Sequence, residues 1–200
     1  MLLYRIVRAT VPPLLRFAWR LRVEGAGNVP AGASIVVVNH DSMADPFVVG
    51  AAIDRPLRYL AKSELWRNPL IRRAIESLGA IPVTRERGDV AAVKAAARAV
   101  DAGDIVVIFP QGTVLGGPDR PWQRGAARLA LTTGAPLVPV AIVGAANGLR
   151  PGTWLPRPAH VRVVIGEPIH VEAGAVTIPA ARELTARVRA SVYSLAAHPD

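Results

Sequence analysis

The sequence predicts an α/β fold: a single domain with a mostly parallel central sheet flanked by helices, preceded by N-terminal amphipathic helices. Short, uninterrupted apolar runs carry the first part of that prediction. Ile35 to Val38, Ile105 to Phe109 and Leu137 to Gly144 are each bounded by polar or turn residues, as expected of strands buried on both faces. The segments between such runs have helical spacing and marked ends, so strand and helix alternate along the chain. With 200 residues, 51% of them hydrophobic, there is enough material for one domain with a sizeable core.

The first twenty-two residues are apolar but interrupted by Arg5, Arg8, Arg16, Arg20 and Arg22, and Pro12-Pro13 splits them. No uninterrupted run reaches bilayer-spanning length, and the lack of a small-residue cleavage site argues against a signal peptide. Leu2, Leu3, Ile6 and Val7 share one helical face, and Leu14, Leu15 and Ala18 another, with Phe17 and Trp19 beside them. Residues 1–22 are therefore expected to form an amphipathic membrane-interface segment, the competing arrangement being simple packing on the domain. Residues 23–200 form the domain proper.

Ser34 to Val38 is the first strand. Asp45-Pro46 then marks a helix over Phe47 to Ile53, since Asp is a favoured N-cap and Pro a favoured first helical residue. RYLAK is a short strand running into a polar turn with Lys62 and Glu64. Asn68-Pro69 opens a helix that continues to Leu78, and Gly79 stops it. Ala80 to Thr84 is a strand ending in Arg85 and Arg87. Asp89 caps a helix with Val90, Val93, Ala97 and Val100 on one face, closed by Gly103. Ile105 to Phe109 delivers Pro110-Gln111-Gly112-Thr113, and a Gly- and Pro-rich loop over Val114 to Pro121 follows. A helix over Arg124 to Thr133 ends at Gly134, and LVPVAIVG is the next strand. A loop over Asn147 to Pro158 precedes a last strand, Val161 to Ile165. The final helix places Leu184, Val188, Val192 and Leu195 on one face.

Composition narrows the chemistry. The net charge of +9 points to an anionic partner such as an anionic membrane surface or a phosphorylated ligand. Aromatic residues make up only 5% of the chain, too few for base stacking, and no recognition helix appears, so nucleic acid is not expected. Cysteine is absent, which removes disulfides, thiolate metal sites and a cysteine nucleophile. The four histidines are scattered without metal-ligand spacing, so no metal and no cofactor are expected.

His40 and Asp45 are the candidate catalytic pair. On a continuous helix, residues five apart would diverge by about 140°. A tight strand-to-helix turn instead lets the carboxylate reach back to the imidazole. An Asp on one ring nitrogen fixes the tautomer and leaves the other nitrogen as a base. The substrate would then supply the nucleophile. Taken alone, such a pair is more often structural, Asp45 capping a helix and His40 filling a loop. If the strands are parallel, His40, Arg85 and the Gln111 to Thr113 turn meet at one sheet edge, where ligands of open α/β sheets sit.

Asn39-His40 with Asp45 resembles the H-x-x-x-x-D signature of the glycerolipid acyltransferases typified by 1-acylglycerol-3-phosphate acyltransferase. KSELWRNPLIRRAIESLGAIPVTR is similar to that family's second block, with Lys62 leading and Arg85 closing it. IFPQGT stands for the third block, PWQRGAARLALTTGAP for the link that follows, and LVPVAIVG for the fourth. The resemblance runs in order from Val23 to Gly144. It implies an acyltransferase of phospholipid synthesis, working peripherally at the cytoplasmic face of the membrane. His40 would be the base and Asp45 its orienter. Lys62, Arg85, Gln111, Gly112 and Thr113 would bind substrate. Acyl-CoA or acyl carrier protein would be the co-substrate and a lysophospholipid the acceptor. The third block departs from the family, with Gln111 where glutamate is usual and Val114 where arginine is usual. A non-catalytic lipid-binding protein on the same fold and a thioesterase are the alternatives.

Overall fold

A computed structural model describes residues 10, 12–77, 79–83, 90–115, 120–153 and 155–197. Seven strands form one sheet in the order β1-β7-β6-β2-β5-β3-β4. They are β1 (Arg22–Glu24), β2 (Ser34–Val38), β3 (Leu57–Lys62), β4 (Ile81–Val83), β5 (Ile105–Ile108), β6 (Leu137–Val143) and β7 (Arg162–Ile165). The helices are α1 (residues 12–18), α2 (Asp45–Ala52), α3 (Pro69–Ser77), α4 (Val90–Asp101), α5 (Gly125–Thr133), α6 (Ala145–Gly148) and α7 (Ile178–Ala197). Each apolar run identified in the sequence is a strand.

From β6 to β4 every neighbouring pair is parallel, which bears out the expected mostly parallel sheet. β7 is antiparallel to β6 and parallel to β1. Among the described residues no long crossover helix joins β6 to β7, and the chain turns at the edge where β6 ends and runs back. β1, unread in the sequence, is only three residues long and pairs with β7. It has no apolar run to betray it.

All five β2 residues are buried, and successive side chains enter opposite layers. Val36 and Val38 join a cluster with Trp19, Val48, Val49 and Tyr59. Ile35 and Val37 join Ala96, Leu129, Val188 and Val192 on the other face. Each such fully buried Val or Ile contributes roughly 1.5–3 kcal/mol relative to an exposed one, so β2 is fixed between both layers. The expected face of α7 is borne out, since Leu184, Val188 and Val192 are all buried. That of α4 is not. Ala92, Ala96 and Val100 are buried while Val93 is 36% exposed. The row of small side chains at i, i+4 allows a closer approach to the sheet than the valine at 93 would permit.

On α1 and just after it, Leu15 and Trp19 join the core, while Leu14 and Phe17 are exposed. Leu14 and Leu15, read as sharing a face, therefore diverge. Trp19 packs on Gly148 so closely that a Cβ added there would come within 2.5 Å of the indole. Residues 1–9, expected to form the first amphipathic helix, lie outside the described residues.

Candidate active site

Five parallel strands, β6, β2, β5, β3 and β4, end at one edge of the sheet. His40 follows β2, Gln111-Gly112-Thr113 follow β5, and Lys62 is the last residue of β3. His40 and the Gln111 to Thr113 turn therefore share that edge, as the sequence led one to expect, and Lys62, not placed there from the sequence, joins them. Arg85 and Arg87 lie outside the described residues. The antiparallel course of β7 brings the 149–161 loop to the same edge, and β1, parallel to β7, brings α1 there too.

Asp45 is not the N-cap of α2. That place belongs to Ala44, which makes no side-chain cap, and Asp45 is already helical. Its carboxylate turns back over the preceding turn instead. Oδ2 accepts the main-chain N–H groups of Asp41 and Ser42, each at 2.8 Å. It also lies 2.8 Å from His40 Nδ1. An oxygen already accepting two N–H groups accepts from Nδ1 as well, which places the ring proton on Nδ1 and leaves Nε2 as the basic nitrogen. The contacts Asp45 makes are thus with the imidazole and the turn before α2, not those of a helix cap.

The carboxylate is almost fully buried, and Oδ1 has no partner among the described residues. Burial pushes the Asp45 carboxyl above its ordinary value, opposed by the hydrogen bond and charge of His40 and by the two main-chain donors. Desolvation outweighs them because it penalises the whole charge, whereas one oxygen alone is compensated. His40 retains 15% side-chain exposure, so its ring is reachable from outside while its partner is not.

Contacts from three directions hold the turn. Asn39 acts as a strand extension. Its Oδ1 accepts Ile142 N–H at 2.7 Å, and its Nδ2 donates to Ile142 O at 2.8 Å and to Asp41 Oδ2 at 2.8 Å. Ser42 Oγ donates to Leu149 O at 2.8 Å. Gln111 Oε1 accepts the His40 main-chain N–H at 2.6 Å, and the Phe109 ring stacks on the imidazole with centroids 4.3 Å apart. Gln111, expected at the acceptor, is only 1% exposed. Its side-chain oxygen is engaged in positioning His40. Gly112 stands at φ 70°, a conformation that only glycine adopts without strain, and its N–H closes the turn on Phe109 O at 3.0 Å. Thr113 Oγ1 accepts Leu115 N–H at 3.3 Å.

The supporting roles of Asn39, Ser42 and Phe109 were not read from the sequence. The abrupt change from Val38 to Asn39 was the one visible signal, because a buried strand end needs something to pair its last main-chain groups.

The family described as Acyltransferase matches residues 20–143. The 1-acyl-sn-glycerol-3-phosphate acyltransferase of Bacillus subtilis (strain 168) is 30% identical over 190 residues, covering 94% of this chain and 92% of that one. The protein of the same name from Borreliella burgdorferi is 30% identical over 132 residues, 64% of this chain and 53% of that one. In fold, the chain is similar to the crystal structure of the 1-acyl-sn-glycerophosphate (LPA) acyltransferase PlsC from Thermotoga maritima. The TM-score is 0.79 at 24% identity, over 98% of this chain and 81% of that one. With a buried carboxylate paired to a partly exposed histidine, and the family matched over residues 20–143, which carry both, this chain belongs to the acyltransferase family and is an O-acyltransferase.

Proposed function

We propose that the chain transfers a fatty acyl group from an acyl-CoA or acyl carrier protein thioester to the free hydroxyl of 1-acylglycerol-3-phosphate, in phospholipid synthesis. The observation that carries this reading is the 2.8 Å contact between His40 Nδ1 and Asp45 Oδ2, which leaves Nε2 as the base. In the proposed reaction Nε2 takes the proton of the acceptor hydroxyl as its oxygen attacks the thioester carbonyl. The imidazolium that forms is stabilised by the Asp45 carboxylate. Collapse of the tetrahedral intermediate breaks the carbon–sulfur bond, and the departing thiolate takes the proton from Nε2. An ester and a free thiol result, and the enzyme is returned unchanged. No covalent enzyme intermediate and no cofactor enter the scheme.

Lys62, Arg85, Gly112 and Thr113 are proposed to hold the substrates, and Gln111 to position His40. The enzyme is proposed to work peripherally on the cytoplasmic face of an anionic membrane. Leu14 and Phe17, 62% and 88% exposed, stand beside Arg16 and Arg20 on α1 and just after it, the mixture of apolar and basic side chains that binds headgroup regions. Among the described residues no helix is long and apolar enough to cross a membrane.

Purified protein given acyl-CoA or acyl carrier protein thioester, with and without 1-acylglycerol-3-phosphate, tests the reaction by thiol release and product analysis. Release that requires the acceptor supports it. Equal release without acceptor identifies a thioesterase, and lipid binding with no release identifies a non-catalytic binding protein.

A further inference from the structure

Arg120 folds back over the turn that follows β5. Its Nε donates to Gln111 O at 2.9 Å, and its Nη1 reaches Leu115 O at 3.5 Å. Gln111 thus stands between two groups, its main-chain oxygen on Arg120 and its side-chain oxygen on the His40 N–H. The turn from Gln111 to Leu115 contains no charged residue, so Arg120 supplies this corner of the catalytic edge with its positive charge. Among the described residues no carboxylate forms an ion pair with it. A guanidinium has five N–H donors in a planar fork, and the two carbonyls engage two of them. The anchored edge orients the group and reduces the entropy lost when the remaining donors meet a ligand. Half-burial strengthens such contacts relative to open solvent.

We propose that Arg120 binds the phosphate monoester of the acceptor and so sets the enzyme's preference for a phosphorylated lysolipid. The proposal rests on the reaction given above. It adds a binding residue that lies beyond the Gln-Gly-Thr turn in sequence and returns to it in space. The phosphates of coenzyme A offer the same chemistry, and the test separates the two sources.

The parent protein is first assayed with 1-acylglycerol-3-phosphate and with the phosphate-free 1-acylglycerol. A parent that uses neither overturns the reaction itself, independently of Arg120. Given an active parent, Arg120→Ala should raise KM for the phosphorylated acceptor by about ten- to a hundredfold, as expected for one charge-assisted contact. KM for the donor, and kcat/KM for 1-acylglycerol, should stay near parental values. Val114→Arg in the Arg120→Ala background should recover part of the lost affinity, because it returns a guanidinium to the same turn. Should Arg120→Ala fail to fold, Arg120→Lys keeps the charge but loses the fork, and a smaller rise in the same KM is expected. An unchanged KM in a folded variant overturns the proposal. So does an equal loss of kcat for both acceptors, which marks a loop staple, or a rise confined to the donor KM, which marks a coenzyme A contact.

Discussion

The main-chain N–H of His40 donates to the side-chain oxygen of Gln111, 71 residues further along, at 2.6 Å. The proposed base is thus held from behind by the strand next to its own. Gln111→Ala leaves that N–H unpaired in a nearly closed site, at a cost of about 1–3 kcal/mol. The expected result is a fall in kcat of roughly five- to a hundredfold with little change in acceptor KM. Gln111→Glu keeps the accepting oxygen and should retain more of the rate. A large rise in acceptor KM with kcat preserved would return Gln111 to the substrate.

His40→Ala should lower kcat by roughly a hundred- to ten-thousandfold, the usual worth of a general base. The ring is partly exposed and its partner Asp45 keeps two main-chain donors, so the variant should still melt cooperatively. Near-parental transfer by the folded variant would rule out the mechanism.

Asp45 gives opposite signs for stability and activity. Its carboxyl is raised by burial, so the stability linked to its protonated form is fully present below the ordinary carboxylate range. It is lost as pH rises through the folded-state value. One such proton changes stability by at most about 1.4 kcal/mol per pH unit. Asp45→Asn should therefore flatten the fall in stability with rising pH over that window, measured by urea unfolding at a series of pH values. Turnover should drop at every pH, because the amide no longer stabilises the imidazolium. A variant with parental turnover would remove Asp45 from the mechanism.

Asn39→Ala removes both side-chain bonds to Ile142 and leaves two buried main-chain groups unpaired. Destabilisation of about 1–3 kcal/mol for each unsatisfied group is expected. Asn39→Asp should restore only the contact to the Ile142 N–H, because a carboxylate accepts and cannot donate to the carbonyl. Its second carboxylate oxygen would also face Asp41 Oδ2 and Ile142 O at the distances now held by the amide, so both variants should melt well below the parent, which thermal unfolding checks.

Phe17→Glu together with Leu14→Glu should weaken flotation with anionic vesicles while leaving stability nearly unchanged, since exposed substitutions usually shift it by no more than about 0.5 kcal/mol. Leu15→Glu one position away should unfold the protein, as Leu15 is buried with Trp19. Parental vesicle binding by the double variant would place the membrane contact elsewhere.

How much of this was legible depended on distance along the chain. Ser34 to Val38 was readable because a strand covered on both faces must be apolar throughout, and the His40–Asp45 pair because strand-to-helix turns have their own residue chemistry. The parallel sheet followed from the alternation of such elements. The reversal of β7, the pairing of the three-residue β1 and the alanine face of α4 did not, since each depends on which neighbour an element meets. At the site, Asp45 has the local signature of a cap, yet its carboxylate accepts from His40, Asp41 and Ser42 in the turn just before it, a contact within five residues that turn geometry decides rather than helix capping. The supports of His40 depend on neighbours again. Asn39 meets Ile142 across 103 residues and Gln111 meets His40 across 71. Local periodicity records which face of an element is apolar. It carries no record of strand order, and strand order is what brings the supports of His40 to the imidazole.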